Sequence, residues 1–461
     1  MLGGRDVPRK LSVRTKQVHT RTQNVVSSGV EAMGLHATHV ISLDDPQLGT
    51  YVLELLEGSN RWVHRRVESV EFRDHRTITR SVSVDFTLPE DCPILALSGR
   101  NPVRLVPLAS LKRARLSHFH LWDEAGASMP LLTTLQASRV LSSGLIANAE
   151  TVVDPQPLRD EVRDDIRTIV AGSPDRIRMT LENFEGAAPG TMRRTLYDSP
   201  DQFFALLRTW SRLRVLLVPI SAESNARRVL KFRYDELFRF RERRWFFWWL
   251  RLTGLPVVFE VPAAETAESY HFEVVAPDGV DVTEAALITA SGPTAPSTRD
   301  HVGGGVPRIH LRAARIPRRA QAIAQASLRV ARRGWLGAAM VCSAVMAGTL
   351  AVGANWVHSR TKVDPSVGSQ AAALLIILPA IFATLLVRPQ EHAMAARLLR
   401  LVRPLLVLTS LASYAAAATL IIGPRGAPLR NTWSALAIFA VLAGGIICLN
   451  WLFPTIKRRR R

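Results

Sequence analysis

His118-Phe119-His120 places two imidazoles two residues apart, a spacing that puts both on one face of a β-strand and that metal sites use when a third ligand is near. No further cluster of His or Cys accompanies the pair, so no metal is expected and the two residues read as solvent-facing positions on an edge strand. His271 and Glu273 repeat the pattern: they alternate with Tyr270, Phe272 and Val274, and read as facing water or a neighbouring strand. Gly303-Gly304-Gly305 lacks the strand-to-helix context and the Lys-Ser/Thr of a phosphate loop, and reads as a hinge. The chain has no Gly-x-Ser-x-Gly, His-Glu-x-x-His, Cys-x-x-Cys or kinase signature. These features point to a non-enzymatic protein without a cofactor, although a nucleophile and base drawn from distant positions would escape such a search.

The most unusual stretch outside the apolar C-terminal third is Arg239-Phe240-Arg241-Glu242-Arg243-Arg244-Trp245-Phe246-Phe247-Trp248-Trp249-Leu250. It is too short to span a bilayer. Arg243, Arg244, Trp245, Phe246, Phe247, Trp248 and Trp249 nevertheless suit the headgroup boundary, where rings bury and guanidinium groups meet phosphates. The competing reading is a helix or loop packed on a β core, which needs aromatics too. No RNP-like strand pattern accompanies the run, so nucleic acid is not expected as a partner.

The elements that must position these residues divide near residue 334. Beyond it come four apolar stretches, Trp335–Val357, Ser366–Val387, Pro404–Ile422 and Thr432–Phe453, none carrying an Asp, Glu, Lys, Arg or His. Each is long enough to cross roughly 30 Å of hydrocarbon as a helix. Eight Arg residues fall between Arg308 and Arg333, Arg388, Arg397, Arg400 and Arg403 follow the second stretch, and Lys457 to Arg461 close the chain. These three segments lie on one side of a four-span topology, whereas the other side holds only Arg360, Lys362, Arg425 and Arg430. Lys/Arg-rich connections stay inside, so the expectation is a multi-pass membrane protein with both termini cytoplasmic. Met1 to Thr38 lacks the continuous apolar core of a signal peptide. Of the three cysteines only Cys92 lies outside the spans, so no disulfide framework is expected. The formal charge of +20 is thereby assigned mainly to the membrane, with the anionic inner leaflet as a partner.

The spans lack the mid-membrane ionisable groups of pumps. They carry small residues at four-residue spacing instead: Ala339, Ser343, Ala347 and Ala351 in the first, Ala440 and Gly444 in the fourth. Such ridges let helices approach closely, in a compact bundle or a homo-oligomer contact.

Upstream, the expected organisation is a basic mobile arm (1–38), a β-rich portion (39–132), a helical insert (133–214) and a second β-rich portion (215–315). A basic amphipathic connector helix (316–333) then leads into the transmembrane domain (334–461). Ser81–Leu88 is the clearest strand, with Val82, Val84, Phe86 and Leu88 on one side. Pro157–Val170 is the clearest helix, with Leu158, Val162, Ile166, Ile169 and Val170 on one face. Val67–Arg73, Val103–Leu108, a hairpin over Phe119–Leu132, Arg228–Tyr234, Pro256–Val261, Tyr270–Ala276 and Arg308–Ala313 are read as further strands. The fold class is therefore α+β, with β-sandwich-like portions and a helical insert, followed by an all-α four-helix transmembrane bundle.

Ser269-Tyr270-His271-Phe272-Glu273-Val274, followed by Ala276-Pro277-Asp278-Gly279 and by Arg332-Arg333-Gly334-Trp335 entering the membrane, is similar to a group of uncharacterised multi-pass membrane proteins of high-GC bacteria. The likeness covers residues 225–350 and implies architecture only. The function expected is a membrane-anchored cytoplasmic scaffold or sensor that holds a protein partner, with no small-molecule ligand identified. The alternative is a small channel or transporter gated by its cytoplasmic domain.

Overall fold

Asp45-Pro46 begins a helix in a computed structural model that describes residues 42–95, 102–113, 116–199, 203–222, 226–238, 255–289, 292–293, 306–314, 316, 322–332, 334–359, 365–386, 392–400, 402–422 and 427–458. The arm 1–38, the Arg243–Trp249 candidates and the Gly303–Gly305 hinge lie outside these residues. In α1 (Pro46–Glu57) the Asp45 carboxylate accepts from the Gln47 amide, Pro46 takes the first turn, and Leu48, Val52, Leu53 and Leu55 turn inward. This corrects the start of the β-rich portion expected over 39–132: the helical spacing of those apolar residues and the cap outweigh the β-rich sequence that follows.

A short helix α2 (Ser59–Trp62) leads into β1 (Val63–Phe72) and β2 (Thr77–Phe86), then β3 (Val103–Lys112) and β4 (Ser117–Trp122). Five helices follow: α3 (Thr134–Val153), α4 (Asp160–Ala171), α5 (Pro174–Glu185), α6 (Met192–Tyr197) and α7 (Phe203–Arg212). A capping box between Thr133 and Gln136 starts α3. α1 crosses α3 at Gly49 and Gly144, where a Cβ on either glycine would overlap the other's backbone. Strands resume with β5 (Leu213–Ser221), β6 (Arg228–Leu237), β7 (Leu255–Glu260), β8 (Ser269–Val275), β9 (Val280–Thr289), β10 (Gly292–Pro293), β11 (Arg308–Ala314) and β12 (Ile323–Val330).

The strands of the two β-rich portions, which the sequence left open to be one domain or two, are interleaved. One sheet has the order β11-β8-β1-β2-β6-β4, with β8 parallel to β1 and every other pair antiparallel. A second runs β10-β9-β12-β7, and β3 pairs with β5. The connector expected as a helix over 316–333 is instead a strand over 323–330, placed between β7 and β9. Ala324, Ala326 and Leu328 are buried and alternate with Gln325, Ser327 and Arg329, a period of two.

Two apolar clusters meet on the inner face of the six-stranded sheet. In one, Val70, Phe72, Tyr270, Phe272 and Leu311 join Val257, Phe259, Leu287 and Leu328 of the second sheet. In the other, Val82, Val84, Phe86, Leu230 and Phe232 join Val106 and Leu108 of β3 and Val218 of β5. Between them lies a charged group. Glu68 is 2% exposed and receives Arg66 Nε and Arg80 Nη1, each at 2.8 Å. Arg66 also donates to the Leu108 carbonyl, and Arg80 to the Glu260 carbonyl and to Glu236, all at 3.2 Å. Burial pushes the Glu68 carboxyl up, but the two guanidinium groups outweigh it and hold it below its ordinary range. Tyr234 and Tyr270 complete the surround, and burial raises both phenols, Tyr234 to about 12.

The C-terminal third has three helices long and apolar enough to cross a membrane among the described residues: α8 (Trp335–Ser359), α11 (Val402–Ile422) and the Ala427–Leu449 part of α12 (Ala427–Arg458). Between α8 and α11 lie a further apolar helix, α9 (Pro365–Leu386), and the short α10 (Ala393–Leu398). Apart from Leu135, Met179 and Leu237, every exposed large hydrophobic among the described residues sits on α8, α9, α11 or α12. Oily side chains facing outward are what a hydrocarbon surround stabilises.

Glu68→Gln leaves two buried guanidinium groups without their carboxylate and is expected to lower stability by about 3–5 kcal/mol in denaturant unfolding of the detergent-solubilised chain. Because the folded Glu68 carboxyl is held low, its contribution is complete above about pH 4.3 and is lost as pH falls through the folded value. The Gln variant should lack that part of the acid-induced loss; an unchanged acid limb would sink the assignment.

Candidate functional site: a charged cleft and a docked helical connection

Three buried hydroxyls within the apolar helices make their hydrogen bonds within their own helix. Ser343 Oγ donates to the Met340 carbonyl at 2.9 Å, Thr409 Oγ1 to Leu405 at 2.6 Å and Ser413 Oγ to Thr409 at 3.3 Å. All three side chains are buried. Of the small residues singled out for helix packing, Ala339, Ser343, Ala347, Ala440 and Gly444 are buried, and a Cβ on Gly444 would touch the Ser343 carbonyl and Ala347 Cβ at 3.5 and 3.7 Å. Ala351 is exposed. Four-residue steps advance about 400° around a helix, so each small residue drifts about 40° from the last and the fourth leaves the contact. Gly353 replaces it: a Cβ there would overlap the Trp433 ring, whose Nε1 donates to Thr419 Oγ1 at 3.0 Å.

Tryptophans mark both ends of these helices. Arg403 lies 5.7 Å over the Trp335 ring and Arg332 5.8 Å over Trp451. Trp356 and Trp433 sit together at the opposite end. Trp335 and Trp356 are separated by roughly 32 Å of helix, and Trp433 and Trp451 by about 27 Å, close to a hydrocarbon thickness. The sequence placed its interfacial Arg and Trp candidates at Arg243–Trp249. The pairs that the structure describes come from residues flanking the spans, which the four-residue ridges did not highlight.

The connection between α9 and α11 folds back onto the β-rich region. Met394, Ala395 and Leu398 are buried in the cluster shared by the two sheets. His392 Nε2 lies 3.0 Å from the Arg73 carbonyl, and its Nδ1 receives the Met394 amide at 3.2 Å. Leu399, Val402 and Leu406 then pack with Leu336, Ala339 and Ile447 at the near end of the apolar helices. The start of α8, the start of α11 and the C-terminal part of α12 thus stand beside the β-rich region.

An open cavity of about 1380 Å³ lies between the helical block and strands β5, β7 and β12. Arg178, Arg208, Arg212 and Arg214 line it, opposed by Glu182 and Glu185. Lys112 of β3 is ion-paired with Glu260 of β7 at its rim. One wall is fixed by Arg113, whose guanidinium donates to the carbonyls of Ile169, Val170, Trp210 and Leu213. It therefore satisfies the C-terminal turns of α4 and α7 at once, where helix dipoles favour a cation. Burial and neighbouring Arg214 lower its pKa. No His or Cys is among the described residues lining the cavity, whose polar groups are guanidinium, ammonium, carboxylate and hydroxyl.

The histidines noted in the sequence lie elsewhere. His118 adopts φ +52° at a register shift in β4, so it does not share a regular strand face with His120. Its Nδ1 contacts Asp235 at 2.9 Å beside Arg73, while His120 stacks on Trp122. No metal-binding group of three His, Cys, Asp or Glu occurs among the described residues. His271 and Glu273 are on the outer face of β8 and are joined through His310 of β11, which the sequence reading did not couple to them. Comparison with known proteins finds no family model and no curated protein that matches the chain.

The helix contact yields a paired test. Gly353→Leu drives a side chain into Trp433 and should cost about 1–3 kcal/mol, read as a lower thermal midpoint in detergent. Ala351→Leu, on the exposed side, should leave the midpoint unchanged.

Proposed function

We propose that the protein is a membrane-anchored scaffold or sensor, not an enzyme, that presents its basic cleft to an acidic protein partner at the cytoplasmic face of a bacterial inner membrane. In this reading α8, α9, α11 and α12 form a four-helix transmembrane bundle, and the two larger sheets pack as a β-sandwich above it. Both termini are cytoplasmic, in keeping with the Arg-rich flanks, and the resemblance to uncharacterised multi-pass proteins extends to this architecture. The observation that carries the proposal is the buried Met394-Ala395-Leu398 connection, because a simple tether would not need to enter the core of the domain it tethers. Through it, a partner that shifts the sheets shifts the ends of α9 and α11. The locally bonded hydroxyls of Ser343, Thr409 and Ser413 support an anchor over a solute path.

The test uses the full-length chain in native membranes with photo-crosslinkers beside the cleft. Arg208→Glu with Arg212→Glu should reduce partner capture by about tenfold or more through like-charge repulsion. Met394→Asp should release the connection and speed proteolysis between residues 387 and 401 in micelles, also by about tenfold. Unchanged capture and unchanged proteolysis would overturn the reading. Solute flux in proteoliposomes that depends on Asn355 or Tyr414 would replace it with the channel alternative.

A further inference from the structure

On the outer face of the six-stranded sheet, four side chains form a continuous hydrogen-bonded row. Ser269 Oγ is 3.1 Å from His271 Nε2, His271 Nδ1 is 2.8 Å from His310 Nε2, and His310 Nδ1 is 3.1 Å from Glu273 Oε1. Only the carboxylate end is a fixed acceptor, so Glu273 orients the His310 ring, and His310 orients His271. His271 is 9% exposed, unusual for a histidine on an outer sheet face.

The carboxylates of this face are already engaged. Glu273 Oε2 takes Arg308 at 2.7 Å, Asp85 receives Arg227 through both oxygens at 2.7 and 2.5 Å, and Glu71 lies 3.8 Å from Arg233. Two arginines are left over. Arg65 is the cross-strand neighbour of Ser269 on β1, and Arg312 that of His271 on β11. Both are exposed and neither makes a direct hydrogen bond to a carboxylate among the described residues, although Arg65 also stands across from Asp85 on β2 and helps hold that carboxyl low. Two exposed guanidinium groups, neither held in a direct ion pair, therefore flank an oriented hydroxyl on the same face of three adjacent strands.

We propose that this face binds a soluble phosphate-type oxyanion between Arg65 and Arg312, with the Ser269 hydroxyl as a further donor, and that His271 takes up a proton as the anion binds. Guanidinium forks match tetrahedral oxyanions, and the hydroxyl supplies a third contact between them. A lipid headgroup is a poor fit. The membrane-facing end of β8 is marked by Gly279 against Ala395, and Ser269 lies about 20 Å further along the strand from Val275.

The proton coupling follows from what surrounds His271: Arg65 from β1, Ser269 and Glu273 from its own strand, and His310 and Arg312 from β11, with Arg308 acting through Glu273. Burial, Arg65, His310 and Arg312 lower its pKa to about 4, so the free site holds a neutral ring whose Nε2 accepts from Ser269. A bound oxyanion cancels part of the guanidinium field and draws the Ser269 proton toward itself. His271 Nε2 then becomes the donor to Ser269 Oγ, using a proton taken from water. Affinity must therefore rise as pH falls.

Sulfate is the probe, since its charge is constant over the relevant range. Titration calorimetry of the full-length chain in phosphatidylcholine nanodiscs should show sulfate binding several-fold tighter at about pH 5.5 than at about pH 7.5. Arg65→Gln and Arg312→Gln should each weaken it by about tenfold, with Arg65→Lys and Arg312→Lys intermediate. His271→Gln should keep binding at the higher pH and lose the pH dependence. Both arginines are exposed, so unchanged melting of these variants separates lost binding from lost fold. Sulfate affinity indifferent to Arg65 and Arg312, or lost instead in Arg208→Gln of the cleft, would overturn the site. Equal affinity at the two pH values would overturn the proton uptake. Displacement of sulfate by phosphatidylglycerol in the nanodisc would make a lipid the occupant and overturn the soluble source.

Discussion

A carboxylate held between two guanidinium groups in the middle of a sheet is the constraint that organises the β-rich region. Glu68, Arg66 and Arg80 occupy positions that alternation assigns to the core, so none can be turned out without reversing its whole strand. Desolvating three charges is expensive, and the cost is offset by the mutual pairing of Arg66, Glu68 and Arg80 and by acceptors drawn from distant parts of the chain. Arg66 reaches the Leu108 carbonyl of β3, and Arg80 reaches Glu236 of β6 and the Glu260 carbonyl of β7. The same atoms that satisfy the buried charge thereby link five strands, β1, β2, β3, β6 and β7, and fix the spacing between sheets.

That arrangement makes the β-rich region one body despite its chain order. The helical block from α3 to α7 interrupts it, yet β5 returns to pair with β3 and β6 slots between β2 and β4. Arg113 ties the block back by holding the carbonyl ends of two of its helices beside β5. The basic cavity lies where the block and the second sheet fail to close on each other. Its position is thus a consequence of how an inserted helical unit meets a continuous sheet.

Local pattern was readable wherever one face was buried and the other wet. Val82, Val84 and Phe86, or Val162, Ile166 and Ile169, declare their period without help from the rest of the chain. α1 was missed because its inward residues sit close to a long β-rich stretch, although Asp45-Pro46 was a start signal in plain view. β12 was taken for a helix because its many arginine neighbours suggested a membrane approach, while the Ala-x-Ala-x-Leu alternation carried the real information. Tertiary pairings were not legible at all. Nothing in the sequence joins His310 to His271, or Arg80 to Glu236 across 156 positions, because register is decided by partners rather than by neighbours. The packing face of the apolar helices was legible for about two turns and then drifted away from Ala351.

The burial of Met394, Ala395 and Leu398 has a bearing on biosynthesis. A ribosome must complete more than fifty residues beyond Val330, the apolar helices α8 and α9 among them, before the last pieces of the upper core exist. Until that short segment arrives, the sheets carry an unfilled seam. Completion of this core therefore waits on synthesis of the first two apolar helices, and a copy truncated ahead of Trp335 would emerge with an apolar notch where Met394, Ala395 and Leu398 belong.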